Sequence, residues 1–277
     1  MKTRIITGIG LAIAVVTFFF IGDLFYILQF GLSILGFMGA KEMLGIFTDN
    51  NLNDYYDKKL SYLCLFTVTI MPWLSVFAIA RVLFMVSILL VLFFFIISKK
   101  NTLYNFTYIL LIILFLGISL TSFSMFYLQN RYYFFYFLLA AFATDTAAYF
   151  SGYFFGKNKL IPWVSPKKTV EGAVGGAIGA VAIIALFQLL YMNFFSEPIP
   201  QPIDVINFPF KAIPLTICLS ICSMCGDLFF SKIKRHFDVK DFSDLLPGHG
   251  GVMDRIDSVV FVTSIYLFIT FFIYTIV

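Results

Sequence analysis

The densest chemistry in the sequence lies between Gly226 and Asp257. There Asp227, Lys232, Lys234, Arg235, Lys240, Asp241, Asp254, Arg255 and Asp257 are interleaved around a Pro247-Gly-His-Gly-Gly251 turn. Carboxylates supply the hard oxygens that Mg²⁺ takes, an ion that usually keeps waters and bridges to substrate phosphates. Asp254 and Asp257 stand three apart at the start of an apolar run, so a helix there puts both on one face. If the preceding helix ends near Phe230, Asp227 sits in its last turn. The helix dipole is already negative at that point, and a cation should offset the acid. The glycines of the turn remove side chains and free backbone N–H groups for phosphate oxygens. Each feature has an ordinary reading by itself: helix-start acids, solvated charges, a plain loop. Interleaved acids and bases within one loop point instead to phosphate chemistry.

A second group lies upstream. Ser165-Pro-Lys-Lys-Thr-Val-Glu171 precedes a glycine-rich apolar run, and Lys167 and Lys168 are misplaced at a helix start, where acidic side chains are favoured. An anion bound there would draw on helix amides, dipole and both ammonium groups together. The alternative is a lysine pair that only fixes topology. Asp145, deeper in an apolar run, costs a few kcal/mol on insertion scales and needs a partner. With Tyr149, Gly152 and Gly156 it shares a helical face directed into a bundle. A structural polar contact accounts for it equally well when it is read alone.

These residues must be positioned by membrane helices. The chain is 61% hydrophobic and 12% charged, against about 45–50% and about 25% in soluble domains. Its apolar runs approach the length of about 20 that crosses a hydrocarbon core. Stretches such as 82–97 are apolar all round, which excludes a barrel built on alternation. Spans are predicted at 5–22, 24–47, 60–80, 82–98, 103–128, 132–155, 172–195, 213–230 and 258–277. The fold class is therefore all-α, a polytopic transmembrane bundle of about nine spans. The first run is kept as a span because no small-residue cleavage site precedes Asp23. Of the cysteines, Cys64, Cys218, Cys222 and Cys225, three share one apolar helix with no histidine nearby, so they read as small buried packing groups.

With the N-terminus cytoplasmic, fifteen Lys and Arg residues fall inside and only Arg81, Arg131 and Lys211 outside, as the positive-inside rule requires. This topology gathers the loops after the sixth and eighth spans on the cytoplasmic side. The glycines at 172/176 and 175/179 read as a tight helix contact. The chain divides into five plain N-terminal spans (1–130) and a C-terminal catalytic region of four spans and two active-site loops (131–277).

The string Ser231-x-Ile-Lys-Arg235, Lys240-Asp241, Ser243, Leu246-Pro247-x-His-Gly-Gly-Val252-x-Asp-Arg-Ile-Asp257 resembles the signature of phosphatidate cytidylyltransferases, the CDP-diacylglycerol synthases. Ser165-Pro-Lys-Lys-Thr-Val-Glu-Gly172 and Asp145-Thr-Ala-Ala-Tyr149 are similar to that family as well, so the resemblance covers roughly the C-terminal half. It implies condensation of CTP with phosphatidic acid, using Mg²⁺, in phospholipid biosynthesis. It implies Asp227 and Asp254 as the main Mg²⁺ ligands, with Asp145 and Asp257 toward a second cation such as K⁺. Lys234, Arg235, Asp241, His249 and Arg255 become catalytic candidates. Ser165, Lys167, Lys168, Thr169, Glu171, Ser231, Lys240, Gly250 and Gly251 become substrate-binding ones. The expected setting is the cell inner membrane, multi-pass, with the site facing the cytoplasm. Dimers occur in similar proteins, and no nucleic-acid partner is expected.

Two rivals are weaker. A transporter would continue its polar residues to the outer leaflet, and a CDP-alcohol phosphotransferase would carry Asp-Gly-x-x-Ala-Arg, which is absent from the sequence.

Overall fold

The computed structural model describes residues 25–49, 58–129, 132–195, 212–248 and 250–276. Eight helices and one hairpin follow in order: α1 (Phe25–Asp49), α2 (Lys58–Ile70), α3 (Ala78–Ile97), α4 (Leu103–Gln129), α5 (Tyr132–Phe155), β1 (Lys159–Ile161), β2 (Ser165–Thr169), α6 (Val170–Phe195), α7 (Ala212–His236) and α8 (Met253–Ile276). Six stretches within α1, α3, α4, α6, α7 and α8 are long and apolar enough to cross a membrane. The molecule is an all-α polytopic membrane bundle; the span expected at 5–22 lies outside the described residues.

Four boundaries differ from the sequence expectation, each for a local reason. The run 60–80 is broken: α2 ends at Ile70, Pro72 sits in the first turn of a 3₁₀ segment (Met71–Ser75), and α3 starts after an extended Phe77. Proline lacks the N–H needed to continue an α-helix and fits a tight first turn. Arg81 consequently lies inside α3. α7 runs on to His236, and α8 begins at Met253, five residues before the apolar run expected from 258. The residues 159–169 form an antiparallel hairpin, with Lys159 opposite Thr169 and Ile161 opposite Ser165, so Lys167 and Lys168 are in a strand.

The chain forms two compact units, Met1–Leu128 with His236–Ile256, and Gln129–Arg235 with Asp257–Val277. In the first, polar side chains join the helices: Gln29 donates to Ser124 (2.6 Å), Trp73 to Ser33 (2.9 Å), and the Tyr108 hydroxyl to the Met43 carbonyl (2.9 Å). Where lipid supplies no hydrophobic drive, such bonds act with close van der Waals packing to hold helices together. Phe47 stacks on Tyr108 with centroids 4.8 Å apart, and Phe237 meets Tyr108 edge-on at 5.4 Å.

In the second unit the glycines of α6 let it lie directly on α5. A Cβ at Gly172 would stand 2.9 Å from the Ala148 carbonyl oxygen, and one at Gly176 3.0 Å from that of Thr144. Thr144 also donates to Ser220 of α7 at 2.9 Å. α8 is held by the Phe137–Tyr266 contact (4.9 Å) and by Phe261 against Phe229 (5.4 Å). Of the thiols, Cys64 is buried as expected, but Cys218 and Cys222 are half-buried and Cys225 is exposed. The α7 cysteines are therefore not core packing groups, because that helix turns part of their stripe outward.

Candidate active site

In the second unit, the hairpin and α6 form one device. Strand alternation turns Lys167 to the exterior and leaves Lys168 partly buried. The Thr169 hydroxyl accepts the Gly172 N–H at 3.1 Å, an N-cap on α6. Glu171 reaches back to the chain leaving α5, accepting from the Lys157 N–H (3.1 Å), the Asn158 N–H (3.2 Å) and the Asn158 side-chain amide (2.8 Å). Ser165 is half-buried at the start of β2, paired with Ile161.

Lys168 meets Asp227 with Nζ 2.5 Å from Oδ2. Because α7 continues to His236, Asp227 is nine residues from its end rather than in the last turn. Its compensating cation is Lys168, and its other oxygen accepts the Ser231 hydroxyl at 3.3 Å. Two turns on, Lys234 is only 8% exposed, while Lys232 and Arg235 are exposed. Asp257 interacts electrostatically with Asp227, Lys234 and Asp145, and Asp145 with Lys168. Ser258 ties two acids together. Its hydroxyl donates to Asp145 at 3.0 Å, and its N–H donates to Asp257 at 2.8 Å. Sequence reasoning missed Ser258, an ordinary serine next to an acid.

The remaining expected site residues lie in the other unit. Asp254 Oδ2 accepts the N–H groups of Phe242 (2.8 Å) and Gly251 (2.9 Å), closing the 242–251 loop over the start of α8. Leu246 bonds back to Gly250 at 2.9 Å, and Gly248 and Gly250 both take φ of 77°, which glycine tolerates. Thus the Gly251 amide, expected to face phosphate, is engaged by Asp254 here. Lys240, Asp241 and Arg255 are exposed, and His249 lies outside the described residues.

Beneath this loop is a residue that sequence reasoning passed over. Glu42 of α1 accepts the Ser243 hydroxyl (2.6 Å) and the N–H groups of Val252 (2.9 Å) and Met253 (2.8 Å). It caps the first turn of α8 from another helix, satisfying amides that a helix start leaves unpaired. A carboxylate in the middle of an apolar run was the available signal.

Asp227 carries hard carboxylate oxygens, one of them accepting the Ser231 hydroxyl, and interacts electrostatically with Asp145 and Asp257, so the donor types present fit Mg²⁺. Among the described residues no three His, Cys, Asp or Glu side chains close into a metal cage. Mg²⁺ does not require one, being held usually by one or two carboxylates plus waters and substrate phosphates.

Fold and cluster together define a polytopic helical membrane protein with acids and ammonium groups interleaved in its second unit. The family model described as the cytidylyltransferase family matches residues 2–273. This chain belongs to that family. It is similar to the phosphatidate cytidylyltransferase of Bacillus subtilis (strain 168), 42% identical over 46% of this chain and 43% of the relative. That of Thermotoga maritima is 38% identical over 46% of this chain and 45% of the relative. That of Staphylococcus aureus (strain COL) is 33% identical over 69% of this chain and 68% of the relative. The chain thus spans under half the length of the first two relatives.

Proposed function

We propose that this protein transfers the cytidylyl group of CTP to phosphatidic acid, giving CDP-diacylglycerol and pyrophosphate in phospholipid biosynthesis. The observation that carries the reading is the Lys168–Asp227 pair with Asp145, Asp257 and the buried Lys234 in one electrostatic neighbourhood of a membrane bundle. Family membership and similarity to bacterial phosphatidate cytidylyltransferases support it.

The phosphomonoester of phosphatidic acid has a second pKa near 6, so it is largely dianionic at neutral pH and needs no side-chain nucleophile. One of its oxygens attacks the α-phosphorus of CTP. A new P–O bond forms, the bond from that phosphorus to the bridging oxygen breaks, and the electron pair leaves on pyrophosphate. The obstacle is repulsion between two anions, which positioned cations relieve. Lys168 exchanges part of its bond with Asp227 for a phosphate oxygen, and Lys234 offsets charge beside Asp257. Arg235, exposed on α7, meets the solvent-borne nucleotide, and the resemblance assigns Lys240 and Arg255 to phosphate groups as well.

Asp227 would hold Mg²⁺, which when bound neutralises phosphate charge, with Asp145 and Asp257 toward a second cation. The resemblance adds Asp254 as a ligand, and K⁺ as a second ion at Asp145 and Asp257. We place the protein in the cell inner membrane with its site toward the cytoplasm, so that CTP arrives from water and the lipid from within the bilayer.

The test is labelled CTP supplied to purified protein with phosphatidic acid in detergent. Wild type yields a labelled lipid, and Asp227→Ala, still folded and monodisperse, yields none. Near-normal turnover by Asp227→Ala removes that residue from the site, and no lipid product from wild type removes the function.

A further inference from the structure

The second unit carries a groove of about 500 Å³ between α6 and α7, lined by apolar residues alone. Ala173, Ala177 and Val181 form one wall, at the i, i+4, i+8 spacing that stacks side chains on one helical face. Ile217, Ile221 and Met224 form the other at i, i+4, i+7. The two alanines open space that larger side chains would fill. From Ala173 to Val181 the rise is roughly 12 Å, at 1.5 Å per residue. That is close to one leaflet of a hydrocarbon core about 30 Å thick.

In sequence, charge lies close to one end of both walls. Lys168 lies two residues before α6, Asp227 lies three residues beyond Met224 on α7, and the two are ion-paired. The Lys168 nitrogen is fully covered and makes no hydrogen bond to the described residues beyond that ion pair. An ammonium has three donors, so this one retains capacity for an anion, a few residues along the chain from the groove's nearest lining residues, Ala173 and Met224. That is the outline of a single phospholipid: phosphate at the cation, one chain along the slot.

We propose that the α6/α7 groove binds one acyl chain of the phosphatidic acid substrate while Lys168 binds its phosphate. This rests on the cytidylyltransferase reading and adds to it where the chain lies. Lipid gives no hydrophobic drive for moving a chain from bilayer to groove, so the fit depends on packing along the walls and on the anchored headgroup.

Val181→Trp blocks the far end, which six-carbon chains are too short to reach, and Ala177→Phe blocks the middle as a second variant. In mixed micelles, Val181→Trp raises KM for dioleoyl phosphatidate about fivefold or more, the signature of lost uniform binding. It leaves kcat, KM for CTP and the kinetics with dihexanoyl phosphatidate unchanged. A second readout omits CTP: dioleoyl phosphatidate raises the unfolding temperature of wild type, and both variants lose that rise. Unchanged KM and unchanged stabilisation in both variants overturn the proposal, leaving the groove filled by bulk lipid only. If both variants lose the lipid stabilisation that wild type shows but wild type forms no product, the functional reading fails while the groove stands.

Discussion

Substituting Gly251 by alanine should destabilise the protein through one carboxylate, that of Glu42. A Cβ at Gly251 would lie 2.5 Å from Oε2, 2.8 Å from Cδ and 2.8 Å from Oε1 of Glu42. Its φ is not in the left-handed region, unlike those of Gly248 and Gly250, so the backbone itself accepts alanine. A side-chain end usually swings aside at little cost. This one is pinned by Ser243, Val252 and Met253 and is only 9% exposed. Moving it strands two buried amide donors, each costing about 1–3 kcal/mol, so the loss is about 2–6 kcal/mol. At about 2–4 °C per kcal/mol for chains of 150–250 residues, the apparent Tm falls on the order of 10 °C. The assay is thermal unfolding in detergent at one fixed scan rate, since unfolding of such chains is commonly irreversible. The decisive arm is the cycle with Glu42→Ala. That single change strands the same amides, and adding Gly251→Ala to it should cost almost nothing further. Losses that simply add would refute the argument, because the clash would then lie elsewhere.

Lys168→Ala should raise KM for phosphatidic acid more than it lowers kcat in steady-state kinetics, and unchanged kinetics with both substrates would remove that lysine from phosphate binding. Asp254→Ala should abolish lipid product and also loosen the 242–251 loop, detectable as faster proteolysis there, since Phe242 and Gly251 lose their shared acceptor. Gly176→Leu should separate α5 from α6 and lower the yield of monodisperse protein, because even a Cβ there stands 3.0 Å from the Thr144 carbonyl oxygen.

Much of this was legible in the sequence. The helix at Tyr132–Phe155 has the bounds its apolar run gives, and the glycines of α6 meet α5 as their spacing suggests. Apolarity misled at the ends of α7 and α8. It marks where lipid stops, whereas Ser231-Lys-Ile-Lys-Arg-His236 continues the helix because Lys and Arg are good helix formers. Pro72 was hidden by the uniform hydrophobicity around it. Lys168 was visible, but its strand and its partner Asp227, 59 residues further on, were not. Glu42 was least legible of all, since its partners are backbone amides about 210 residues away.

The most direct measurement follows two labels through one reaction: CTP carrying ³²P at its α-phosphate, or at its γ-phosphate, incubated with purified protein and phosphatidic acid. The account predicts that α-label enters the organic phase only when Mg²⁺ and phosphatidic acid are both present, while γ-label stays in water as pyrophosphate. Organic-phase γ-label, or α-label transfer that persists with Mg²⁺ chelated, would contradict it.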